Sequence, residues 1–265
     1  MAKDKIRVAI FGAAGRMGRR LVALTAADDE LVLGAAVDAP GCPELGNDAG
    51  EIAGCGRLGV PVSSSLDDAV DVVVDFSKPE ATDGLLQVCR EKKLPLVFAT
   101  TGINAEQQQR LLDLAGVVPV VWSPNMSLAV NLGMRLAQTA AKALADHDAD
   151  VEILERHHRF KEDAPSGTAL KFGQLIAEVM GQTNFRHGRE GRPGKRPHDE
   201  IGFHAIRVGD NPGEHTIVFG MLGETLEITV RASSRDAYAL GALAAAKFAV
   251  GKEPRLYTMF DVLGL

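Results

Sequence analysis

The sequence predicts an α/β protein: a doubly wound parallel sheet followed by a smaller mixed α/β domain. Three observations carry this expectation. Short β-branched runs alternate with helical stretches through the first half, the pattern of a parallel sheet with helices on both faces. A glycine-rich turn joins the first strand to the first helix. After Asn125 the pattern changes, and three strands follow in quick succession before a last helix.

The expected strands of the first half are Ile6–Phe11, Leu31–Val37, Val70–Asp75, Leu94–Ala99 and Val117–Trp122, with helices over Met17–Ala27, Pro79–Lys92 and Ala105–Ala115. Asp71-Val-Val-Val-Asp75 is apolar between two acids, as a central strand covered on both sides should be. Beyond Asn125 a helix is expected near Leu128–Leu144, a strand over Val151–His157 and a helix near Thr168–Met180. Residues 185–198 read as a Gly-, Pro- and Arg-rich loop. The strands Ile201–Val208, Glu214–Gly220 and Thr225–Arg231, joined by Gly209-Asp-Asn-Pro-Gly213 and Leu222-Gly223, suggest an antiparallel meander. The Ala-rich helix Ala237–Val250 ends the pattern. The division expected is residues 1–126 as a nucleotide-binding domain, 127–236 as a second domain, and 237–265 packing back on the first.

A chain of 265 residues can bury a sizeable core in each of two such domains. Its formal net charge of −6 argues against binding nucleic acid or an anionic membrane through the overall field, and leaves room for a local basic pocket. Cys42, Cys55 and Cys89 are scattered and form no CxxC pair, so neither a disulfide framework nor a metal site is expected. No run of 18 apolar residues suggests a membrane span, and no apolar leader is read at the start. A cytoplasmic protein is expected.

The first functional motif is Gly12-Ala13-Ala14-Gly15-Arg16-Met17-Gly18, directly after Ile6–Phe11. Gly12 allows the tight turn, Gly15 lets backbone approach a pyrophosphate, and Gly18 permits close helix–strand packing. The helix start offers N–H groups to phosphate. The spacing is GxxGxxG rather than GxGxxG, so its place at the first β–α junction is what makes it informative. Asp38 ends the second strand 20 residues after Gly18, where an acid can accept from ribose hydroxyls. An acid there favours NADH over NADPH. Ala39 cannot clamp a 2′-phosphate, whereas Arg16 and Arg19 are placed near enough to do so. Loops at the ends of later strands, Phe76-Ser77, Ala99-Thr100-Thr101-Gly102 and Ser123-Pro124-Asn125-Met126, lie where a nicotinamide and its ribose bind in such sheets.

The second motif is Glu155-Arg-His157-His158-Arg-Phe-Lys161-Glu-Asp-Ala-Pro-Ser166-Gly167-Thr168. Adjacent His157 and His158 point to opposite faces of a strand end, a poor arrangement for one metal. One imidazole can act as an acid near neutral pH while the other binds or orients. Lys161 adds a positive charge, and Ser166 caps a helix whose start, with Gly167 and Thr168, can receive a carboxylate. The basic loop from Arg186 to His198 reads first as a solvated loop, second as a lid near the dicarboxylate, and last as a nucleic-acid contact.

GxxGRMG, the E-x-H-H-x-x-K-x-D-A-P-S-G-T-A-L run, and Gly213-Glu-His-Thr216 with Leu226-Glu-Ile-Thr229 and Arg231-Ala-Ser-Ser-Arg235 together resemble the dihydrodipicolinate reductase family over nearly the whole chain. The resemblance implies a Rossmann-type nucleotide domain and a second domain that binds substrate and builds a homotetramer. The implied reaction is NAD(P)H-dependent reduction of a small cyclic dicarboxylate, 4-hydroxy-tetrahydrodipicolinate, in the diaminopimelate route to lysine. His157 would donate the proton and Lys161 stabilise charge. His158, Ser166, Gly167 and Thr168 would bind substrate. Gly12 to Met17, Asp38, Phe76, and the 99–102 and 123–126 loops would hold the cofactor, with no metal. Three positions depart from the family's pattern: Ala99 stands where Gly is usual, Met126 where an aromatic residue is frequent, and Ala39 where NADPH-favouring members carry a base. The alternatives are another two-domain nicotinamide dehydrogenase, or a regulator that senses NADH without chemistry. The first offers no reason for HHxxK followed by PSGT, and the second predicts no turnover.

Overall fold

In the computed structural model, which describes residues 5–67 and 69–265, the chain forms two compact units. The first comprises the chain up to Leu128 together with Asp236–Leu265; the second is Ala129–Arg235. In chain order the first unit contains β1 (Ile6–Phe11), α1 (Arg16–Ala26), β2 (Leu31–Val37), α2 (Ala49–Ala53), β3 (Val62–Ser63) and β4 (Val72–Asp75). It continues with α3 (Thr82–Lys92), β5 (Leu96–Phe98), α4 (Ala105–Ala115) and β6 (Val120–Trp122). The helix α5 (Leu128–Leu144) leads into the second unit: β7 (Asp150–His157), α6 (Gly167–Met180), β8 (Asn184–His187), β9 (Glu200–Arg207), β10 (Glu214–Met221) and β11 (Glu224–Arg231). The chain then returns to the first unit as α7 (Asp236–Ala249), β12 (Leu256–Tyr257) and α8 (Met259–Leu263).

Among the described residues the first sheet has seven parallel strands in the order β12-β6-β5-β4-β1-β2-β3. Alternating side chains bury both faces, as a doubly covered sheet requires. Val8, Ile10, Val72 and Val74 pack with Leu21 and Val22 of α1 and the alanines of α7, while Ala9, Val73, Leu96 and Phe98 pack with α3 and α4. The order reverses at β1, which lies between β2 and β4. Phe11, Val37, Asp75, Phe98 and Trp122 are in register, so the loops after five strands leave from one level at their carboxyl ends. In such a sheet ligands bind outside this edge, at the reversal.

The second sheet runs β11-β10-β7-β9-β8. Here two expectations fail. The three strands after residue 200 are not a meander: β10 pairs antiparallel with β11, but β9 pairs parallel with β7, which separates it from β10. The turn signals near Gly209–Gly213 mark a real connection, yet it steps across β7 instead of closing a hairpin. The 185–198 loop begins as a strand, because Asn184–His187 extends the sheet beside β9. The short elements α2, β3, β12 and α8, each of five residues or fewer, have no periodic signature of their own and were not expected from the sequence.

On β7 the alternation Val151, Ile153, Glu155, His157 is buried, whereas Leu154 and Arg156 are exposed and Glu152 is half-buried. The buried face carries two polar residues at its end. They start the site of this unit.

Candidate active site

The nucleotide half is built almost wholly from backbone. Gly12 has φ +76°, and a Cβ there would stand 2.7 Å from the Phe76 carbonyl oxygen. A Cβ on Gly18 would run into the Gly12 carbonyl and the Ala13 backbone, so only glycine lets α1 start this close to the turn. Gly15 is the N-cap of α1 and offers no side chain to its first turn, which also lacks an acid. The N–H groups there are open to an anion. Asp38 reaches the same turn: its carboxylate accepts from the Ala14 N–H at 2.8 Å and from the Ala39 N–H at 2.8 Å. A dinucleotide fits this arrangement, with phosphate on the turn and a ribose at the acid.

The later loops are more mixed than their sequences suggest. Thr100 is buried, and its hydroxyl donates to Asp75 at 2.7 Å instead of facing a ligand. Asp75 also accepts from the Ser77 hydroxyl at 2.5 Å, and burial pushes its carboxyl up despite these bonds. Asp75 thereby ties the loops after β4 and β5 together. Phe76 and Ala99 are half-buried against the core, while Thr101 and Gly102 are exposed. Ser123 is buried, and its hydroxyl donates to the Asn125 carbonyl at 2.7 Å; Pro124 is exposed. Met126 is 1% exposed and Ala13 is 3% exposed; both side chains belong to the core, and the Ala13 N–H donates to the Val37 carbonyl at 3.1 Å. Arg16 is exposed, whereas Arg19 donates to the Ala14 carbonyl at 2.8 Å and pairs with Glu44.

The second half is built from side chains. His157, at the end of β7, is buried, and its Nδ1 lies 2.5 Å from Glu155 Oε2. Glu155 is buried too and is gripped from three sides. Arg207 of β9 donates to both its oxygens at 2.9 and 2.8 Å, and the Ser166 N–H donates at 3.1 Å. Burial alone would push the Glu155 carboxyl up, but the bonds from His157 and Arg207 outweigh it and hold the group at about 2. It is therefore an anion at every working pH. Register explains the meeting: His157 lies opposite Arg207, and Glu155 opposite His215 of β10. The His215 ring stands edge-on to His157 at 5.2 Å, with its Nε2 3.1 Å from the Ser166 hydroxyl. Burial, with the neighbouring His157, pushes His215 down to about 4, so it is neutral near pH 7.

Ser166 caps α6 by accepting from the Ala169 N–H at 3.2 Å. Gly167 is exposed, and nothing lies within 4 Å of the place its Cβ would take. Thr168 follows, half-buried. His158, also half-buried, has an Nδ1 that is buried without a hydrogen-bond partner among the described residues. The Lys161 ammonium donates to both Asp163 oxygens, at 2.7 and 2.9 Å. Among the described residues no group of three His, Cys, Asp or Glu could hold a metal. The basic loop is tied down: Arg189 pairs with Glu152 and Glu200, and Arg196 with Asp150 and Glu152.

Two family models match, one described as dihydrodipicolinate reductase, N-terminus, over residues 6–126, and one as its C-terminus over residues 129–263. The chain belongs to the dihydrodipicolinate reductase family. Members of this family are NAD(P)H-dependent oxidoreductases, and so is this chain. A 4-hydroxy-tetrahydrodipicolinate reductase of Rhodopirellula baltica is 57% identical, with 98% of this chain and 96% of the relative covered. One of Alkalilimnicola ehrlichii is 50% identical over 98% and 99%. A dihydrodipicolinate reductase of Paenisporosarcina sp., solved with dipicolinate bound, superposes with a TM-score of 0.78 at 27% identity, covering 97% of this chain and 98% of that one. A nicotinamide-bound enzyme of gentamicin A biosynthesis, at 16% identity and a TM-score of 0.60, shares the fold alone.

Within this reductase, sequence reasoning had singled out His157, His158, Lys161 and the α6 start, which one strand end and one loop bring together. It gave no role to Glu155, Arg207 or His215, although Glu155 opens the His157 motif and His215 lies in the Gly213-Glu-His-Thr216 motif. Glu155 had a usable signal, being two residues before His157 and hence on the same strand face. Arg207 had none, and the meeting of Arg207 and His215 with this cluster comes from strand order.

Proposed function

We propose that the reduction of 4-hydroxy-tetrahydrodipicolinate to tetrahydrodipicolinate, the reaction for which the relatives are named, runs in this chain with His157 as proton donor and Lys161 as the charge that steadies the developing anion. The observation that carries this reading is the buried Glu155–His157 contact of 2.5 Å, on one segment with Lys161 and the start of α6. When bound, the nicotinamide would supply the hydride, the 4-hydroxyl leaves as water, and one proton completes the balance. Ionised Glu155 accepts the Nδ1–H of His157, which fixes the tautomer and leaves Nε2 as the nitrogen that gives up a proton. Arg207 keeps Glu155 charged and in place, so the imidazolium has a counter-ion before it donates.

The substrate is a cyclic dicarboxylate. One carboxylate is received at the start of α6 by Gly167 and Thr168, where the helix end is positive, and by His158. Ser166 acts from beneath, holding α6, Glu155 and His215 in one arrangement. Lys161 exchanges Asp163 for substrate, an exchange that costs little because Asp163 is largely exposed. Dipicolinate, bound by the Paenisporosarcina relative, is itself a cyclic dicarboxylate.

NADH is the preferred cofactor and NADPH the second, because Asp38 puts a carboxylate where the 2′-phosphate would lie. The enzyme works in the cytoplasm as a homotetramer; no described helix is long and apolar enough to cross a membrane. The face of the second sheet that carries Leu154, Ile206 and Val208, each more than a third exposed in the single chain, supports the assembly.

One experiment tests the central claim. The purified chain, its mass in solution measured, is assayed for NADH oxidation with substrate made in situ from pyruvate and aspartate semialdehyde by the synthase that condenses them. His157→Gln should lower kcat by roughly 10²–10⁴-fold while the Kd for NADH stays near that of the unaltered chain. Full activity in that variant would remove His157 from the role.

A further inference from the structure

Among the described residues three charged side chains are linked at the ribose corner: Asp38 and Arg19, both expected there from the sequence, and Glu44, which was not. Arg19, in the first turn of α1, donates from Nε to the Ala14 carbonyl at 2.8 Å. The N–H of that same Ala14 is on Asp38 at 2.8 Å. The guanidinium therefore sits one residue's width from the carboxylate that meets the ribose, with its fork unused by the backbone. Such a fork is well shaped to take a 2′-phosphate in two bonds. It is instead turned to Glu44, whose Oε1 lies 3.3 Å from Nη2. Glu44 is in turn held by Asn47, whose amide donates to Oε2 at 3.0 Å.

We infer that Glu44 is a cofactor-selectivity residue, acting through Arg19 to make this reductase discriminate against NADPH. This rests on the reading that Asp38 meets the adenosine ribose. The pair is roughly 40% exposed at Arg19, so its own strength is small and does not lock the guanidinium. The charge count decides. With Glu44 present the linked set of Asp38, Arg19 and Glu44 carries two carboxylates and one guanidinium, so the Glu44 charge adds to a field that suits two hydroxyls and opposes a phosphate dianion; exposed Arg16 is the same with and without it. Without Glu44 the linked set is neutral, and the Arg19 fork is available to the phosphate. The discrimination thus has an attractive element toward the ribose hydroxyls, Asp38, and a repulsive element toward the phosphate, Glu44.

The test is binding to the full-length protein, read by cofactor fluorescence for NADH and NADPH and by calorimetry for adenosine 2′,5′-bisphosphate against adenosine 5′-monophosphate. Glu44→Gln should tighten NADPH and the bisphosphate by about tenfold and leave NADH and the monophosphate within a factor of about three. Glu44→Leu should behave alike. Adding Arg19→Gln to either variant should abolish the gain. An unchanged NADPH-to-NADH ratio in both Glu44 variants overturns the inference, as does a gain that survives the loss of Arg19. Asp38→Asn, measured alongside, separates the two layers. If it weakens NADH while Glu44→Gln does nothing, only the role of Glu44 falls; if it changes neither cofactor, the ribose assignment falls with it.

Discussion

The glycine turn and the His157 cluster perform comparable tasks with opposite materials. In the function we propose, the turn after β1 meets an anion with backbone: Gly12, Gly15 and Gly18 matter for the atoms they lack, and Asp38 is the ionisable side chain that the expected pattern requires there. The cluster at the end of β7 is the reverse. Glu155, His157 and His215 are titratable side chains buried in the face of a sheet beside half-buried Arg207, where an unpaired charge is costly. Backbone sites are intolerant of added atoms, whereas side-chain sites are intolerant of lost partners. The two halves should therefore break under different substitutions, and each break should leave the other half intact.

The largest effect is expected at Glu155. Glu155→Gln keeps the shape but removes the anion between His157 and Arg207, so kcat should fall roughly 10²-fold or more, as when a carboxylate behind a catalytic imidazole is neutralised. Glu155→Asp should recover part of the rate. NADH affinity should not change. A Glu155→Asp variant as slow as Glu155→Gln would reduce Glu155 to a packing role.

Gly18→Ala probes the other half. The added Cβ meets backbone at Gly12 and Ala13, which cannot swing aside like a flexible side chain. The cost should be roughly 3 kcal/mol or more, seen as a fall in Tm together with loss of NADH binding. The imidazole resonances of His157 and His215 should stay where they are in the unaltered chain. Movement of those resonances would mean that the two halves are not independent in the sense drawn above.

The same contrast sets what could be read in advance. The Gly12–Gly18 turn, Asp38, and the run from His157 to Thr168 are local in sequence, and residue type with spacing defines their geometry. Ser166 at the N-cap is of this kind. Arg207 and His215 are not: they reach Glu155 and His157 because β7 inserts between β9 and β10, and pairing across a sheet leaves no mark in either strand. The same insertion defeated the meander expectation, since a turn-rich connection such as 209–213 can close a hairpin or step over a strand. In the cofactor loops the residue types were right for a ligand edge, but Thr100 and Ser123 turn inward to bond Asp75 and the Asn125 carbonyl. A short polar side chain in a loop can serve the loop or the ligand, and only its neighbours decide which.

The smallest effect, and the sharpest for the buried cluster, is a stability change with pH at His215. Its imidazole is held neutral by burial and by His157, at about 4 against 6.5 for an ordinary histidine. Between pH 6.5 and 4 the unfolded chain takes up a proton there and the folded chain does not, so folding stability falls as pH is lowered through this window. The loss should reach on the order of 3 kcal/mol at most and level off below pH 4, where the folded imidazole also titrates. Glu155 contributes in a lower window. Its folded value of about 2 lies below the ordinary 4.5, so its stabilisation is complete above pH 4.5 and fades toward pH 2. His215→Gln retains an amide able to bond Ser166 but cannot titrate, so unfolding by denaturant at stepped pH should show a flatter profile between 6.5 and 4 and an unaltered one below. If the variant and the unaltered chain lose stability in parallel through the upper window, His215 is not held neutral, and the cluster is less dry than its packing implies.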